Sequence, residues 1–337
     1  MVAKVLTIKP SDLHRPVGQV ARRLMRRRLA VAESLLATLH DPEAVHQFRV
    51  AMRRARSIET AYRPYLADVV TPKLRRRLKA VVAATGAARD TEVQLTRLAQ
   101  RRADPKPHHQ PGFDWLQERL ERRLESEYEE LCASLAERFR LVHKPLRARL
   151  KTRSEGTEPV FAEVTAGLLL EASGDFSLRC AQILVDSSEE PLHMARISGK
   201  RLRYLLEPLT LAFPQAAEQV VALKVLQELL GEIHDLQVFG KELAEASEEA
   251  GAARLRKLIE LSLTLPFDAP ELELARQQDE RAGLMSLARD LQTRQTDLVE
   301  HLRARLRAGA AEALVAAVRA IARDCGRRGM PDAPVSR

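Results

Sequence analysis

The chain has 337 residues, 45% hydrophobic but only 4% aromatic, and carries 55 Lys+Arg against 46 Asp+Glu for a net charge of +9. That length supports one large domain or two ordinary ones, with a substantial buried core. Three cysteines without a CxxC pair exclude a disulfide scaffold and fit a reducing cytoplasm, no apolar run reaches bilayer length, and Met1 to His14 lacks the apolar core of a signal peptide, so no membrane insertion is expected.

Ala, Leu, Arg and Glu dominate, and helical periodicity holds almost throughout; only Val2 to Ile8 hints at strand alternation. The first helix is predicted near 17–40. Arg22, Arg23, Arg26, Arg27 and Arg28 crowd it without an acid nearby, and Arg22 and Arg26 share one face. Asp41-Pro42-Glu43 then supplies an N-cap and a first-turn proline for a second helix over 43–62. This helix reads Val45-His46-Gln47-Phe48-Arg49-Val50-Ala51-Met52-Arg53-Arg54-Ala55-Arg56. At about 100° per residue, His46, Arg49, Arg53 and Arg56 fall within an arc of roughly 80°, while Phe48, Met52, Ala55 and Ile58 take the opposite side and bury. A third helix is predicted over 72–102, with Arg75, Arg76 and Lys79 at its start and Gly86 and Asp90 further along. Between Val45 and Lys79, ten cations face only Glu59 and Asp68, an excess that nearly equals the charge of the whole molecule. Such concentration points to an anionic partner.

A loop is expected over 104–112 and a fourth helix over 113–151. That helix ends in a weaker basic run of Arg138, Arg140, His143, Lys144, Arg147 and Arg149, diluted by Glu137. The polar stretch from Thr152 to Pro159 is the natural boundary between halves. The second half repeats the plan, with helices near 160–185, 190–211, 214–248, 251–264 and 270–324, and Pro208 ending or kinking the second of them. The chain from 326 to 337 reads as a disordered tail.

Leu192-His193-Met194-Ala195-Arg196-Ile197-Ser198-Gly199-Lys200-Arg201-Leu202-Arg203 repeats the basic motif, with His193, Arg196, Lys200 and Arg203 as its stripe. Surface helices ordinarily interleave glutamate with their cations; residues 45–57 and 191–206 contain no acid. A second element also recurs: Lys79, Gly86 and Asp90 match Lys224, Gly231 and Asp235 at identical spacing. Glycine costs a helix about 1 kcal/mol against alanine, so its repetition implies close helix packing. The aspartates either hold a motif arginine or histidine, or pair locally with Arg89 and His234. The expectation is an all-α fold of two bundles related by internal duplication, a first repeat over 1–155 and a second over 156–325, with the two basic helices side by side or face to face.

Guanidinium forks about 5 Å apart along a helix suit successive phosphates, and histidine adds a donor whose charge rises as pH falls. A long phosphate ligand is therefore the leading reading, contacted by His46, Arg49, Arg53, Arg56, His193, Arg196, Lys200 and Arg203. Arg54, Arg201, Lys79 and Lys224 would add rim or second-helix donors, with Arg22, Arg26, Arg75 and Arg76 as weaker candidates. Nucleic acid is the second reading, and one tryptophan with no aromatic cluster beside the stripes gives it scant support. A metal-dependent phosphohydrolase is the third; histidines set among cations, without HxxxD or HExxH, are a poor setting for a divalent metal. The sequence calls for no catalytic residue, cofactor or metal.

Val45 to Ser57, Gly86 to Asp90, Leu192 to Glu207 and Leu226 to Asp235 resemble the paired VHxxRVxxRRxRS/LGxxRD and LHxxRIxxKRxRYxxE/LQxxLGxxxD patterns of the CHAD family, the conserved-histidine α-helical domain. Thr85 departs from the leucine usual before the first glycine, and Gly199 interrupts the second basic helix. The resemblance implies two pseudo-symmetric four-helix bundles around a basic central cavity that binds inorganic polyphosphate. It also implies association with polyphosphate granules and their other proteins, and a stand-alone member without the CYTH triphosphatase domain that some relatives carry.

Overall fold

The computed structural model describes residues 6–101, 106–152, 157–277 and 279–329. Among them the chain is all-helical, with one isolated antiparallel bridge, Pro16 with Val160, in place of any strand. Ile8 lies outside regular structure, its amide donating to the Pro208 carbonyl at 2.8 Å; residues 2–5 of the strand hinted at by the sequence lie outside the described residues.

Helix α1 spans Val17–Ser34 and is followed by a 3₁₀ turn, Leu36–Thr38. Helix α2, Pro42–Ala61, opens as its sequence dictates: Asp41 accepts from the Glu43 amide at 3.0 Å, and Pro42 takes the first turn. The single helix expected over 72–102 is two, α3 (Pro72–Ala84) and α4 (Ala87–Arg101). The Thr85 hydroxyl donates to the Val82 carbonyl at 2.8 Å and the Gly86 amide to that of Ala83, closing α3 on a tight turn. Helix α5 covers Gln110–Arg149 after a 3₁₀ turn at Pro107–His109, so the expected loop is shorter than 104–112; residues 102–105 are not described.

Helix α6 is Phe161–Val185 and α7 is Glu189–Leu206, where Pro208 diverts the chain into a 3₁₀ turn over Glu207–Leu209. Helix α8 runs unbroken over Pro214–Thr264, through Gly231 and Gly251, where two helices were expected. Strong helix formers on both sides outweigh the cost of each glycine. The last predicted helix is three: α9 (Pro270–Gln277), α10 (Arg281–Arg307) and α11 (Ala310–Gly329). Gly309, at φ +83°, supplies the left-handed residue that stops α10. Since α11 reaches Gly329, the first four residues of the expected tail are helical; 330–337 lie outside the described residues.

Compactness divides the chain into two units, and both draw on both halves of the sequence rather than parting at 155/156. The first comprises residues 1–86, 130–231 and 302–337. In it α1 packs on α2 and α6 on α7, while α1 also meets α6 and α2 meets α7. The chain at the starts of α1 and α6 pairs reciprocally: Val17 N donates to Pro159 O at 3.0 Å and Phe161 N to Arg15 O at 2.8 Å. Gly199 lets α7 lie against α6, since a Cβ there would stand 3.1 Å from the buried Phe176 ring.

The second unit comprises residues 87–129 and 232–301, built on a core of Leu98, Phe113, Leu116, Leu120, Phe239 and Leu287 among others. Here α5 and α10 cross at Gly112 and Gly283, where a Cβ on either glycine would collide with the facing backbone. Backbone on both sides leaves nothing able to swing aside. Gly112→Val is expected to destabilise the protein by about 3 kcal/mol or more, read from chemical denaturation of this unit through Trp115 fluorescence.

Candidate functional site

Helices α2 and α7 are amphipathic in the way their sequences demand. Phe48, Met52 and Ala55 of α2, and Leu192, Ala195 and Leu202 of α7, are buried. Their cationic faces meet along one groove of about 320 Å³. Arg53 and Arg56 stand on its α2 side and Lys200 and Arg201 on its α7 side; Leu24, Ile58, Val82 and Leu205 make apolar walls, and no carboxylate lines it. The Ser57, Thr60 and Tyr204 hydroxyls add neutral donors. Arg53 Nε is buried there without a hydrogen-bond partner.

Of the residues singled out in the sequence, the groove unites Arg53, Arg56, Lys200 and Arg201. Arg201 also reaches the exposed Glu171 at 2.8 Å on α6. His46, Arg49, His193 and Arg196 are half-buried one to three turns earlier on their helices. The turn between α3 and α4 fixes Arg49: its Nη1 lies 3.5 Å from the buried Thr85 hydroxyl and 3.4 Å from where a Cβ on Gly86 would stand. Gly86 thus makes the close contact its repetition implied, with the threonine serving as acceptor. Gly231 does not, since nothing lies within 4 Å of its Cβ position.

Arg54 and Arg203, expected to donate to a ligand, turn inward. Both reach the buried Glu207: Arg54 Nη2 donates to Oε1 at 3.0 Å with Nε 2.9 Å from Oε2, and Arg203 Nε is 3.5 Å from Oε1. Arg28 of α1 completes this cluster. It is only 4% exposed, and burial, reinforced by the neighbouring charge of Arg54, pulls its guanidinium down to about 10. In the sequence Arg28 is one of five arginines that crowd α1. Its spacing four residues after Leu24, on the apolar face of α1, was the available signal.

The remaining candidates lie elsewhere. Arg75 is held by the buried Glu59 at 2.5 Å, while Arg76 and Lys79 are exposed on α3. Lys224 is exposed on α8 beside Glu228, at 3.7 Å. Arg22 is buried and bonded to Asp68 and Thr152, and Arg26 is exposed on that same face of α1; neither lines the groove. Asp235 pairs with Arg97 at 3.6 Å and Arg89 with Glu92 at 2.9 Å. Among the described residues no group of three or more His, Cys, Asp or Glu is placed to hold a metal ion, and no helix is long and apolar enough to cross a membrane.

Described residues that are all-helical, with two basic helices bordering one groove, define a narrow structural class. The profile of the CHAD domain matches residues 19–244, and the chain belongs to that family. Its fold is similar to that of the CHAD domain from the plant Ricinus communis, at 22% identity, 85% of this chain, 96% of that one and a TM-score of 0.59. It is also similar to PptA from Streptomyces chartreusis, at 14% identity, 85% and 100% coverage and a TM-score of 0.53. No curated protein matches the chain.

The two kinds of buried charge in the Glu207 cluster respond oppositely to removal. Glu207→Gln leaves several buried guanidinium groups without a counter-charge and is expected to cost about 3 kcal/mol. Arg28→Met removes a desolvated cation and leaves Arg54 and Arg203 to satisfy the carboxylate. Its thermal midpoint is expected to equal or exceed that of the parent, measured by calorimetry alongside Glu207→Gln.

Proposed function

We propose that this protein binds inorganic polyphosphate without chemically altering it, and that the groove between α2 and α7 is its seat. The observation that carries this reading is the groove lining itself: two cations from each motif helix and no carboxylate. Like charges held side by side repel, and a polyanion lying between them relieves that repulsion while releasing its own counterions. Arg53 and Arg56 make the primary contacts on one wall and Lys200 and Arg201 on the other. His46, Arg49, His193 and Arg196 extend the two ridges, and Arg28 supplies positive potential beneath them. Arg54 and Arg203 act by holding the helices in place.

The duplicated motifs, the matched starts of α1 and α6, and the pairing of α2 with α7 support a repeat of sequence over 1–155 and 156–325 that forms a basic central cavity. Family membership supports the same ligand, a cytoplasmic location at polyphosphate granules, and other granule proteins as partners. The groove offers Tyr62 and Tyr204 but no run of exposed rings for successive bases, which favours a phosphate chain over a nucleic acid.

A titration with polyphosphates of graded length, repeated across ionic strength, tests the proposal. Arg53→Gln/Arg56→Gln/Lys200→Gln is expected to weaken binding at least about 100-fold near 0.1 M salt, because each charge-assisted hydrogen bond is worth about 1.5–3 kcal/mol. It should also make the logarithmic salt slope shallower by about 2, at roughly 0.7 for each phosphate of a single-stranded polyanion that the variant leaves unneutralised. Arg307→Gln/Arg319→Gln, on exposed positions of α10 and α11, should change affinity less than threefold. Equal weakening in the two variants would reject the groove. Single-stranded DNA of equal phosphate concentration should fail to displace the polyphosphate, and the purified protein should release no orthophosphate from it.

A further inference from the structure

The arginines of α1 that turn away from the α2/α7 groove build a concavity of their own. Gln19, Arg22, Arg23 and Arg26 fall at i, i+3, i+4 and i+7, so they share one face of the helix. Leu24, which lines the first groove, points to the opposite side. With Arg15 and Lys151, at the start of α1 and just past the end of α5, these arginines surround a pocket of about 440 Å³. Among the described residues five cationic side chains line it, and no carboxylate does.

Two carboxylates stand behind that lining and account for part of the charge. Asp12, itself buried, lies 2.5 Å from Arg23 and 3.3 Å from Arg15, while Asp68 takes Arg22 at 2.6 Å. Among the described residues, the five lining cations against the two acids that pair with them leave a local excess of three. The Arg22 and Arg23 guanidinium groups are preset rather than loose. Arg22 is 4% exposed and anchored on its outer nitrogens by Asp68 and the Thr152 carbonyl, yet its Nε is buried without a hydrogen-bond partner. Arg23 Nε is in the same state. Two anchored, largely buried arginines, Arg22 and Arg23, beside the exposed cations Arg15, Arg26 and Lys151 form an arrangement suited to clustered oxyanions.

We infer that this pocket is a second anion site, distinct from the α2/α7 groove, that takes a compact run of two or three phosphoryl groups. The size of the pocket suits a ligand of that class. Its lining holds no aromatic ring to stack a base and no carboxylate to receive ribose hydroxyls, so the ligand is an inorganic oligophosphate rather than a nucleotide. The site stands independently of the function proposed for the groove, because its residues lie on another helix face.

Calorimetric titration of the full chain with inorganic tripolyphosphate tests it. Two equivalents are expected to bind. Arg26→Gln/Lys151→Gln, two exposed positions, should reduce this to one and leave the affinity of the remaining site within twofold. Arg53→Gln/Lys200→Gln should remove the other equivalent instead. A single equivalent that survives Arg26→Gln/Lys151→Gln and disappears with Arg53→Gln/Lys200→Gln overturns the second site and leaves the groove standing. The reverse pattern supports the pocket and rejects the groove. ATP should bind the pocket no more tightly than tripolyphosphate; a preference for ATP above tenfold would overturn the inorganic class.

Discussion

Two helices that each present a row of cations repel when laid together, and something must hold them in place. In this protein that role falls to Glu207. It sits where Pro208 turns the chain out of α7, buried, and it grips Arg54 of α2 and Arg203 of α7 at once. The carboxylate spans the junction between the two motif helices, so their cationic ridges can border one groove. A buried ion pair is a poor source of net stability, because desolvation consumes most of the Coulomb gain. Its value here is registry: it sets which arginines face inward and which remain on the groove wall.

The same division recurs around the first unit. Glu59 takes Arg75 and Arg63, Asp68 takes Arg22, and Asp12 takes Arg15 and Arg23. Each of these carboxylates stands apart from the α2/α7 groove. A chain with 55 basic side chains thereby uses a small set of acids to fix arginines that serve as struts. Among the described residues, the lining of the groove itself holds Arg53, Arg56 and Lys200 but no carboxylate. Arginine suits both tasks, since its planar fork forms directional pairs when buried and still carries a full charge when partly exposed.

Helix type and placement were legible because the periodicity of the apolar positions is strong, and the family because its two motif pairs survive in register. The breaks were harder to read. Thr85 and Gly86 end α3 through a side-chain bond to the backbone, whereas Gly231 and Gly251 pass unnoticed inside α8. Local sequence carries the same glycine signal at all of these places, and the surrounding packing decides. At the site, the stripe of α2 was readable from its spacing through Arg53 and Arg56. Spacing alone offers Arg54 and Arg203 as ligand donors, and both also meet Glu207: for Arg203 it is the local partner four residues on, at the close of the second motif, whereas for Arg54 it lies 153 residues away and only the fold brings it near. Arg28 was hidden for a related reason, being one of five arginines in a short run that differ only in the side of α1 they occupy.

That long separation has a consequence for how the molecule is made. A ribosome adding about 5–20 residues per second delivers Arg54 roughly 8–30 s before the Glu207 carboxylate that receives it, 153 positions later. Throughout that interval the nascent first half is a polycation exposed to the most abundant polyanion in its surroundings, ribosomal RNA. Asp12, Glu59 and Asp68 can neutralise part of that positive charge early, but Arg54 acquires Glu207 as its counter-ion only once α7 has emerged. The two halves are therefore expected to mature together, with the earlier one waiting for the later.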